Sequence, residues 1–414
     1  MSDSQTPGPV RDRARRRLSS TLFAGVASGT TAFLAAVTVS PLAAERLGGS
    51  ALWAGLPTSA AILGTALGAW AQGLAVARHG RRRTLLAGYL LGAAGALAAA
   101  VAIELEAVAL LILAMAVLGI GNSSNLLARY AQAEIQPPGR RAFAISMIVW
   151  AGTIGAVLGP SLIAPAGRLA ARWGAPELSG PYLVSAAFMM GAITLHAALL
   201  RPDPSTLAHR EPEPAIDDVA NLGARREVFA SPAAVALTAM LAAQTVMMLI
   251  MTATPVHLGH LGAGLGGVGL VMTSHTFGMY ALAPLAGRLA DRWGRRRTIG
   301  LGFALLAAAA AIALLVPDAP TPALGAALLL LGLGWSCAFV AGSSLLAVGI
   351  PEAVRARLQG RVDAAVLGAG AAASALSGAL LHLAGYALLA AIGLTILVAA
   401  SLLLARHRLG PAPA

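Results

Sequence analysis

Long apolar stretches separated by short basic loops dominate this sequence. About twelve of them reach the ~20 residues that a helix needs to cross the hydrocarbon core of a bilayer. Only 11% of the residues are charged, against roughly one quarter in soluble globular proteins. Lipid offers no partner for backbone polar groups, so only helices and closed barrels span membranes. Uninterrupted Ala, Leu, Gly and Val runs without two-residue alternation favour helices, and the sequence therefore predicts an all-α membrane protein.

The predicted transmembrane helices form two sets of six. We expect a basic N-terminus (1–19), a six-helix bundle (20–200), a linker (201–229), a second six-helix bundle (230–404) and a tail (405–414). The individual spans are expected near 20–42, 52–75, 84–103, 107–128, 142–164, 181–200, 230–253, 265–286, 298–316, 322–346, 362–383 and 386–404. The linker is rich in Pro, Asp, Glu and Arg, and Ile216–Phe229 is a candidate for a short interfacial helix.

The net charge of +12 indicates membrane topology and not nucleic-acid binding. With the N-terminus in the cytoplasm, nearly all arginines fall in cytoplasmic loops, and the outer loops hold Arg46, Arg168 and Arg172. This asymmetry follows the positive-inside rule, which places both termini in the cytoplasm. The absence of lysine suggests a GC-rich bacterial genome. We therefore expect a multi-pass protein of the bacterial inner membrane.

The sequence also bears on signal-peptide cleavage and on disulfide formation. The apolar stretch after the basic N-terminus is too long for a signal-peptide core, so we expect it to be retained as the first span. Cys337 is the single cysteine and falls within a span, so no intrachain disulfide forms.

A basic hinge occurs once in each half. Residues 287–298, the C-terminal hinge, read GRLADRWGRRRT, and residues 73–84, the N-terminal hinge, read GLAVARHGRRRT. Superposing Gly80 on Gly294 also aligns the other shared glycine and arginine positions, as expected of an internal repeat. The candidate gating residues are Gly73, Arg78, Gly80, Arg81, Gly287, Asp291, Arg292, Gly294 and Arg295.

This pattern resembles the signature loop between the second and third spans of each half of major facilitator superfamily transporters. The resemblance implies twelve transmembrane helices in two pseudo-symmetric six-helix bundles around a central cavity, with transport by alternating access and no enzymatic reaction. It also implies a gating role, in which Asp291 accepts hydrogen bonds from a helix N-terminus of the other half in one access state. The alternative is that the arginines only anchor the loop. The N-terminal hinge has Ala77 where the family places its aspartate.

The predicted fifth span carries a second motif. Gly155 and Gly159 share one helix face and permit close packing of a neighbour. Pro160 then removes a backbone hydrogen bond and bends the helix. The string resembles the motif of the superfamily's antiporters, mostly drug exporters, although Ile163 stands where a further glycine is usual. A generic packing face is the alternative.

Polar side chains within predicted spans are candidates for substrate binding or coupling. Asn122 and Asn125 lie in the fourth span, and Gln244 lies in the seventh. Polar groups at membrane depth are costly unless they face protein or water, so we expect these amides to line the central cavity. Met115 stands where the family often has an arginine. Arg129 either pairs with Glu134, binds substrate or is an interfacial arginine.

Three titratable positions complete the candidates. His275 falls near the middle of the eighth span and could carry a coupling proton; the alternative is a neutral histidine bonded to a neighbouring helix. Asp363 is expected to cap the eleventh span or to pair with an arginine; a coupling role is the alternative. His257 and His260 have spacing suited to a shared ligand, and several methionines lie close in sequence, so a metal pathway is conceivable. Methionines in apolar helices usually just fill gaps, however, and no metal site or cofactor is predicted.

The leading hypothesis is a monomeric secondary transporter of a small, neutral or moderately apolar molecule, with efflux by proton antiport. Its partners are the small-molecule substrate, the lipid bilayer and, as a candidate coupling ion, protons; nucleic acid is excluded. The alternatives are an importer or facilitator of a metabolite, vitamin or metal complex, and a non-transporting membrane receptor or assembly factor. Hinges in both halves argue against the last, because a static scaffold needs no gating latch.

Overall fold

A computed structural model describes residues 9–136, 141–207, 232–316, 318, 321–347 and 352–406. Within these ranges the chain is helical and contains no strand. The first part contains α1 (Pro9–Gly48), a short 3-10 turn (Ala51–Trp53), α2 (Gly55–Glu104), α3 (Val108–Glu134), α4 (Arg141–Ser161), α5 (Ile163–Arg172), α6 (Ser179–Leu199) and α7 (Pro204–Leu207). The second contains α8 (Pro232–His260), α9 (Leu265–Thr276), a π-helical segment (Phe277–Ala281), α10 (Ala283–Trp293), α11 (Arg295–Leu315), α12 (Thr321–Ala347) and α13 (Glu352–Arg406).

These helices account for twelve spans. Among the described residues, eight helices are long and apolar enough to cross a membrane, or nine if α4 and α5 form one bent span. Two of the eight, Ala51–Glu104 and Arg361–Arg406, contain 54 and 46 residues. Each is about twice the length that one crossing needs, and each is interrupted by a glycine with positive φ. The α9, π-helical and α10 segments together supply the remaining span.

Each interruption of a span has a local cause. Pro160 lies two residues before Leu162, where α4 and α5 meet at a bend of 46°, as expected because proline breaks the hydrogen-bond ladder. The π-helical segment ends just before Pro284, which has no N–H to offer to the carbonyl of Tyr280. Within the segment the N–H of Leu282 reaches back five residues to the carbonyl of Phe277, at 3.3 Å, which is the spacing of a π-helical bond.

Several helices extend beyond the predicted spans. Helix α1 begins at Pro9 and so includes part of the segment predicted as a basic N-terminus, and α8 continues to His260. Helix α13 begins at Glu352, more than two turns before Asp363. Hydropathy marks only the apolar part of a helix, whereas the backbone ladder continues through arginines, which are good helix formers. The candidate interfacial helix at 216–229 lies outside the described residues.

The chain forms two compact units. Unit 1 comprises Met1–Val39 and Ala60–Pro212, and unit 2 comprises Ser40–Ser59 and Glu213–Ala414. Residues 40–59, the end of α1 and the start of α2, therefore pack with the C-terminal half. Their packing is close: a Cβ on Gly55 would lie 1.7 Å from the carbonyl oxygen of Ser374, and one on Gly378 would lie 2.5 Å from that of Ala51.

Candidate functional site

The two hinges share one backbone conformation. Gly80 has φ 77° and ψ 172°, and Gly294 has φ 87° and ψ 148°. Side-chain-bearing residues rarely adopt these positive φ values, so glycine is required at both positions. The first glycines of the hinges, Gly73 and Gly287, are helical, and a Cβ there would meet nothing within 4 Å. The geometry of each turn therefore depends on its second glycine.

A carboxylate occupies the N-terminal hinge although Ala77 replaces the expected aspartate. The carboxylate of Asp203 accepts the backbone N–H groups of Arg81 at 3.2 Å and Arg82 at 3.0 Å. These are the first amides after Gly80, where the unpaired N–H groups of a helix start carry partial positive charge. Asp203 lies just before α7, in the segment that the sequence assigns to the linker. Sequence reasoning missed this residue because nothing local marks a contact with a hinge 122 residues away.

The arginines of the N-terminal hinge bind the neighbouring helices. Arg81 makes a two-point ion pair with Glu134 at the end of α3, with its Nε donating to Oε2 at 3.0 Å. Arg82 donates to the carbonyl of Ala197 in α6 at 2.9 Å. Glu134 was a proposed partner of Arg129, but the structure pairs it with Arg81, whose guanidinium presents two donors to one carboxylate. The hinge, in the middle of α2, is thus joined to the ends of α3 and α6 within unit 1.

The C-terminal hinge is more open within its own unit. Asp291, Arg292 and Gly294 are exposed, and Arg295 is half-buried. Arg296 donates to the carbonyl of Leu404 near the end of α13, at 2.6 Å. Arg78, in the N-terminal hinge, is likewise exposed. The latch proposed for Asp291 stays a prediction.

The motif in the fifth span packs against α1. A Cβ on Gly155 would lie 2.6 Å from the carbonyl oxygen of Ala27 and from the backbone nitrogen of Thr31. A Cβ on Gly159 would lie 2.9 Å from the carbonyl oxygen of Thr31. Real Cβ atoms do not approach so closely, so both glycines are required for this helix contact. The two glycines thus form a close-packed face towards α1; the antiporter function of that face stays a prediction.

The amides of the fourth span belong to a hydrogen-bonded chain. The hydroxyl of Tyr89 donates to Asn125 at 3.0 Å, Asn125 donates to Asn122 at 2.9 Å, and Asn122 donates to Thr65 at 3.3 Å. Nearby, Gln72 donates to the hydroxyl of Ser124 at 3.2 Å. Every member is uncharged, which limits the cost of placing polar groups at this depth.

Two histidines within spans are fully buried. His275 is fully buried in α9, and its Nδ1 lies 3.1 Å from the carbonyl oxygen of Leu328 in α12. His196, which the sequence reading did not select, is fully buried in α6, and its ring lies 5.1 Å from that of Tyr89. In both, Nε2 has no hydrogen-bond partner among the described residues. His275 therefore joins two helices of unit 2, and its coupling role stays a prediction.

Gln244 is tied to an aromatic cluster. Its side-chain oxygen accepts the indole N–H of Trp335 at 2.8 Å. Trp335 stacks on Phe339, with ring centroids 4.5 Å apart, and Tyr280 lies 6.4 Å from Trp335. The sequence reading selected Gln244 but not the three rings, because their assembly depends on how α8, α12 and the π-helical segment pack.

The remaining candidates are separate from these groups. Asp363 is exposed and lies inside α13, more than two turns after the helix start at Glu352, so the predicted helix cap is wrong. Arg129 is half-buried in α3. His260 pairs with Glu45 at 2.5 Å, and His257 stacks on Tyr386 with ring centroids 4.2 Å apart. No group of three potential metal-binding side chains occurs among the described residues.

Comparison with known proteins identifies the class. The sequence profile of the Major Facilitator Superfamily matches residues 21–266 and 235–414, which together cover nearly the whole chain. The fold resembles that of a D-xylose-proton symporter, with a TM-score of 0.72, 17% identity and coverage of 93% of this chain and 96% of that one. It also resembles an inward-facing bacterial homologue of the lysosomal transporter Spinster, with a TM-score of 0.70, 16% identity and coverage of 98% and 100%. At these identities the likeness is one of fold.

The chain belongs to the Major Facilitator Superfamily and is a multi-pass membrane transporter, not an enzyme. Two similar proteins are the uncharacterised MFS-type transporters YddS and YdeG of Bacillus subtilis, 36% and 37% identical over 90% and 88% of this chain and 86% of each relative. A more distant relative is the riboflavin transporter RfnT of Brucella anthropi, 27% identical over 84% of this chain and 85% of that protein. The sequence prediction of the family and of its twelve-helix fold is confirmed.

Proposed function

We propose that this chain exports a small, neutral or moderately apolar molecule across the bacterial inner membrane by alternating access, in exchange for protons. The substrate class is inferred from one observation: the candidate polar side chains within the spans form hydrogen bonds with uncharged partners. Asn122, Asn125 and Gln244 all bond to neutral amide, hydroxyl or indole groups. A multiply anionic substrate would require several fixed cations at membrane depth, which are costly.

His275 is the proposed proton carrier. Its Nδ1–H donates to the carbonyl of Leu328, which leaves the lone pair of Nε2 to accept a proton. That nitrogen is buried without a partner among the described residues, so it contacts water only when the packing of α9 against α12 opens. Proton uptake is then linked to a change in helix packing, as coupled transport requires.

Export is supported by the close-packed glycine face that α4 presents to α1, since the motif resembles that of superfamily antiporters. Gating is assigned to the two hinges, and in this proposal Asp291 holds one access state through a helix N-terminus. The protein acts as a monomer with both termini in the cytoplasm, because the arginine-rich loops then face inward.

The second candidate is an importer or facilitator of a metabolite or vitamin. The relative named as a riboflavin transporter favours it, and riboflavin is itself an uncharged molecule. The two candidates share the fold and the neutral substrate class but differ in coupling.

Proteoliposomes containing the purified full chain separate these candidates, with riboflavin as the first probe. Under antiport, an acidic vesicle interior drives accumulation of the probe, because protons leave as the probe enters. Under symport an acidic exterior drives accumulation, and a facilitator responds to neither gradient. The sign of the gradient is independent of how the protein is oriented in the vesicle. A protonophore serves as the control and should abolish any gradient-driven accumulation.

Two variants assign the roles. We expect His275→Ala to lose accumulation driven by the pH gradient but to retain exchange of internal for external probe; unchanged pH dependence would place coupling elsewhere. We expect Asp291→Asn to insert normally and to transport slowly, and near-normal transport would contradict the latch. Accumulation driven by an acidic exterior would replace export with import.

A further inference from the structure

Aromatic side chains are scarce in this protein, yet three of them meet in unit 2. Aromatic residues make up 5% of the chain. We propose that Tyr280, Trp335 and Phe339, together with Gln244, form a binding site for a planar, uncharged heteroaromatic molecule. These four side chains form the aromatic cluster. This binding site adds a substrate class to the proposed function. That the bound molecule is also transported rests on the proposed function.

The geometry of the aromatic cluster suits a flat ligand. Trp335 and Phe339 are one helical turn apart on α12, and their rings stack with planes 20° apart. Tyr280 is inclined to the indole by 58° and lies to one side of it. All three rings are half-buried, so each retains an accessible surface. A planar ligand can continue a stack of this kind, since aromatic rings attract one another in offset or edge-to-face arrangements.

The polar part of the aromatic cluster is fixed in orientation. Gln244 is 8% exposed, and its oxygen is committed to the indole N–H of Trp335. The amide nitrogen of Gln244 points towards α13, where a Cβ on Gly370 would lie 2.7 Å from it. Within the described residues that nitrogen has no assigned acceptor, so it is available to donate to a ligand. A heteroaromatic ring offers an acceptor nitrogen or carbonyl for that donor, whereas a pure hydrocarbon would leave it unpaired.

The local backbone supports the assignment. Tyr280 belongs to the π-helical segment Phe277–Ala281, and single π-helical turns inside α-helices occur frequently at functional sites. Close packing holds the π-helical segment, which carries Tyr280, against α12, which carries the other two rings. A Cβ on Gly278 would lie 2.5 Å from the carbonyl oxygen of Leu329 in α12. Among the described residues, no charged side chain contributes to the ring and amide contacts of the cluster, and such a site favours an uncharged ligand.

The test is a binding titration of the purified full chain in detergent. The probes are lumichrome and acridone, two neutral, fluorescent three-ring heteroaromatic compounds, and ribitol, a neutral polyol without a ring, serves as the non-aromatic competitor. Empty micelles correct for partition of the probes. We expect saturable binding that ribitol does not displace. Removal of one stacking ring typically raises the dissociation constant on the order of tenfold. We expect this change for Trp335→Ala.

Two further variants keep the result interpretable. Phe339→Leu preserves bulk while removing a ring, and should weaken binding in the same direction. Trp173→Ala removes a tryptophan that is 73% exposed in unit 1 and should leave binding unchanged. Monodisperse elution of each variant by size exclusion verifies folding. Absence of binding by both probes, or equal binding by wild type, Trp335→Ala and Phe339→Leu, would overturn the proposal.

The proposed function and this inference fail in different ways. Binding that depends on Trp335, without movement of either probe into proteoliposomes, would support the binding site and contradict transport through it. Conversely, transport of a neutral non-aromatic compound by a protein that binds neither probe would support the proposed function and reject the heteroaromatic ligand.

Discussion

The carboxylate of Asp203 accepts the backbone N–H of Arg81 at 3.2 Å, at the first residue after the hinge glycine Gly80. An anion at this place satisfies amides that have no partner inside the helix and interacts favourably with the helix dipole. The N-terminal hinge is therefore provided with an acid, although its own sequence contains none. The acid comes from the segment after α6, so the turn depends on two distant parts of unit 1.

Removal of this contact should destabilise unit 1. We expect Asp203→Ala to lower the free energy of unfolding by about 1 kcal/mol, the usual cost of losing a side chain that caps a helix start. Asp203→Asn should cost less, because its amide oxygen still accepts a hydrogen bond. Thermal unfolding in detergent, followed by loss of monodisperse protein, measures the difference. Asp318→Ala alters an exposed loop aspartate and is the matched control; equal loss of stability in both would contradict the capping role.

The ion pair between Arg81 and Glu134 gives a second prediction. The side chain of Arg81 is 12% exposed and that of Glu134 is 33% exposed. Glu134→Gln leaves a mostly buried guanidinium without its carboxylate, and we expect a loss of about 1–3 kcal/mol in stability. The charge-reversed pair Arg81→Glu with Glu134→Arg should recover part of this loss in a double-mutant cycle. Glu104→Gln changes an exposed glutamate and should be neutral; equal stability of Glu134→Gln and Glu104→Gln would contradict a contribution from the ion pair.

The two glycines of the C-terminal hinge should differ sharply when each is replaced by alanine. Gly294 has φ 87°, so Gly294→Ala imposes a strained backbone that costs about 1–3 kcal/mol. Gly287 is helical with open space at its Cβ position, and Gly287→Ala should preserve or slightly raise stability. Unfolding midpoints of the two variants provide the comparison. If they shift equally, the positive φ of Gly294 does not determine the turn.

The fifth span allows a comparison between adjacent helical turns. A Cβ on Gly155 would lie 2.6 Å from the backbone of α1, whereas one on Gly152 would lie 3.8 Å from the hydroxyl of Thr30. Gly155→Ala therefore overpacks the contact, at about 1–3 kcal/mol, and should reduce transport together with stability. Gly152→Ala makes an ordinary contact and should be tolerated. Transport rate per folded protein is the measurement, and full activity of Gly155→Ala would show that α1 and α4 separate freely.

The sequence predicted the class of fold because hydropathy and repetition are local properties. Twelve apolar segments and two copies of the hinge located the spans and identified the family. The hinge motifs contain two of the glycines with positive φ, Gly80 and Gly294, although the motif alone did not distinguish them from Gly73 and Gly287.

What the sequence could not predict was pairing over long distances. Asp203 and Arg81 are far apart along the chain, as are Gln244 and Trp335, and no pattern within either segment marks its partner. Glu134 was close to Arg129 in sequence, but the bidentate geometry of Arg81 decided the ion pair. Residues 40–59 pack in unit 2 for the same reason, since glycine contacts with α13 outweigh proximity along the chain.

The π-helical turn at Phe277–Ala281 also bears on the ancestry of the two halves. Such a turn accommodates one residue more than an α-helical turn, and one residue corresponds to a rotation of about 100° around a helix. The equivalent stretch of α2, counted back from Gly80, is regular α-helix. If the halves arose by duplication of one gene, positions at the same distance before Gly80 and before Gly294 are equivalent only as far back as Tyr280. On the N-terminal side of Tyr280, positions at the same distance from the two hinge glycines face different directions. The two copies have therefore been free to acquire different side chains for different neighbours.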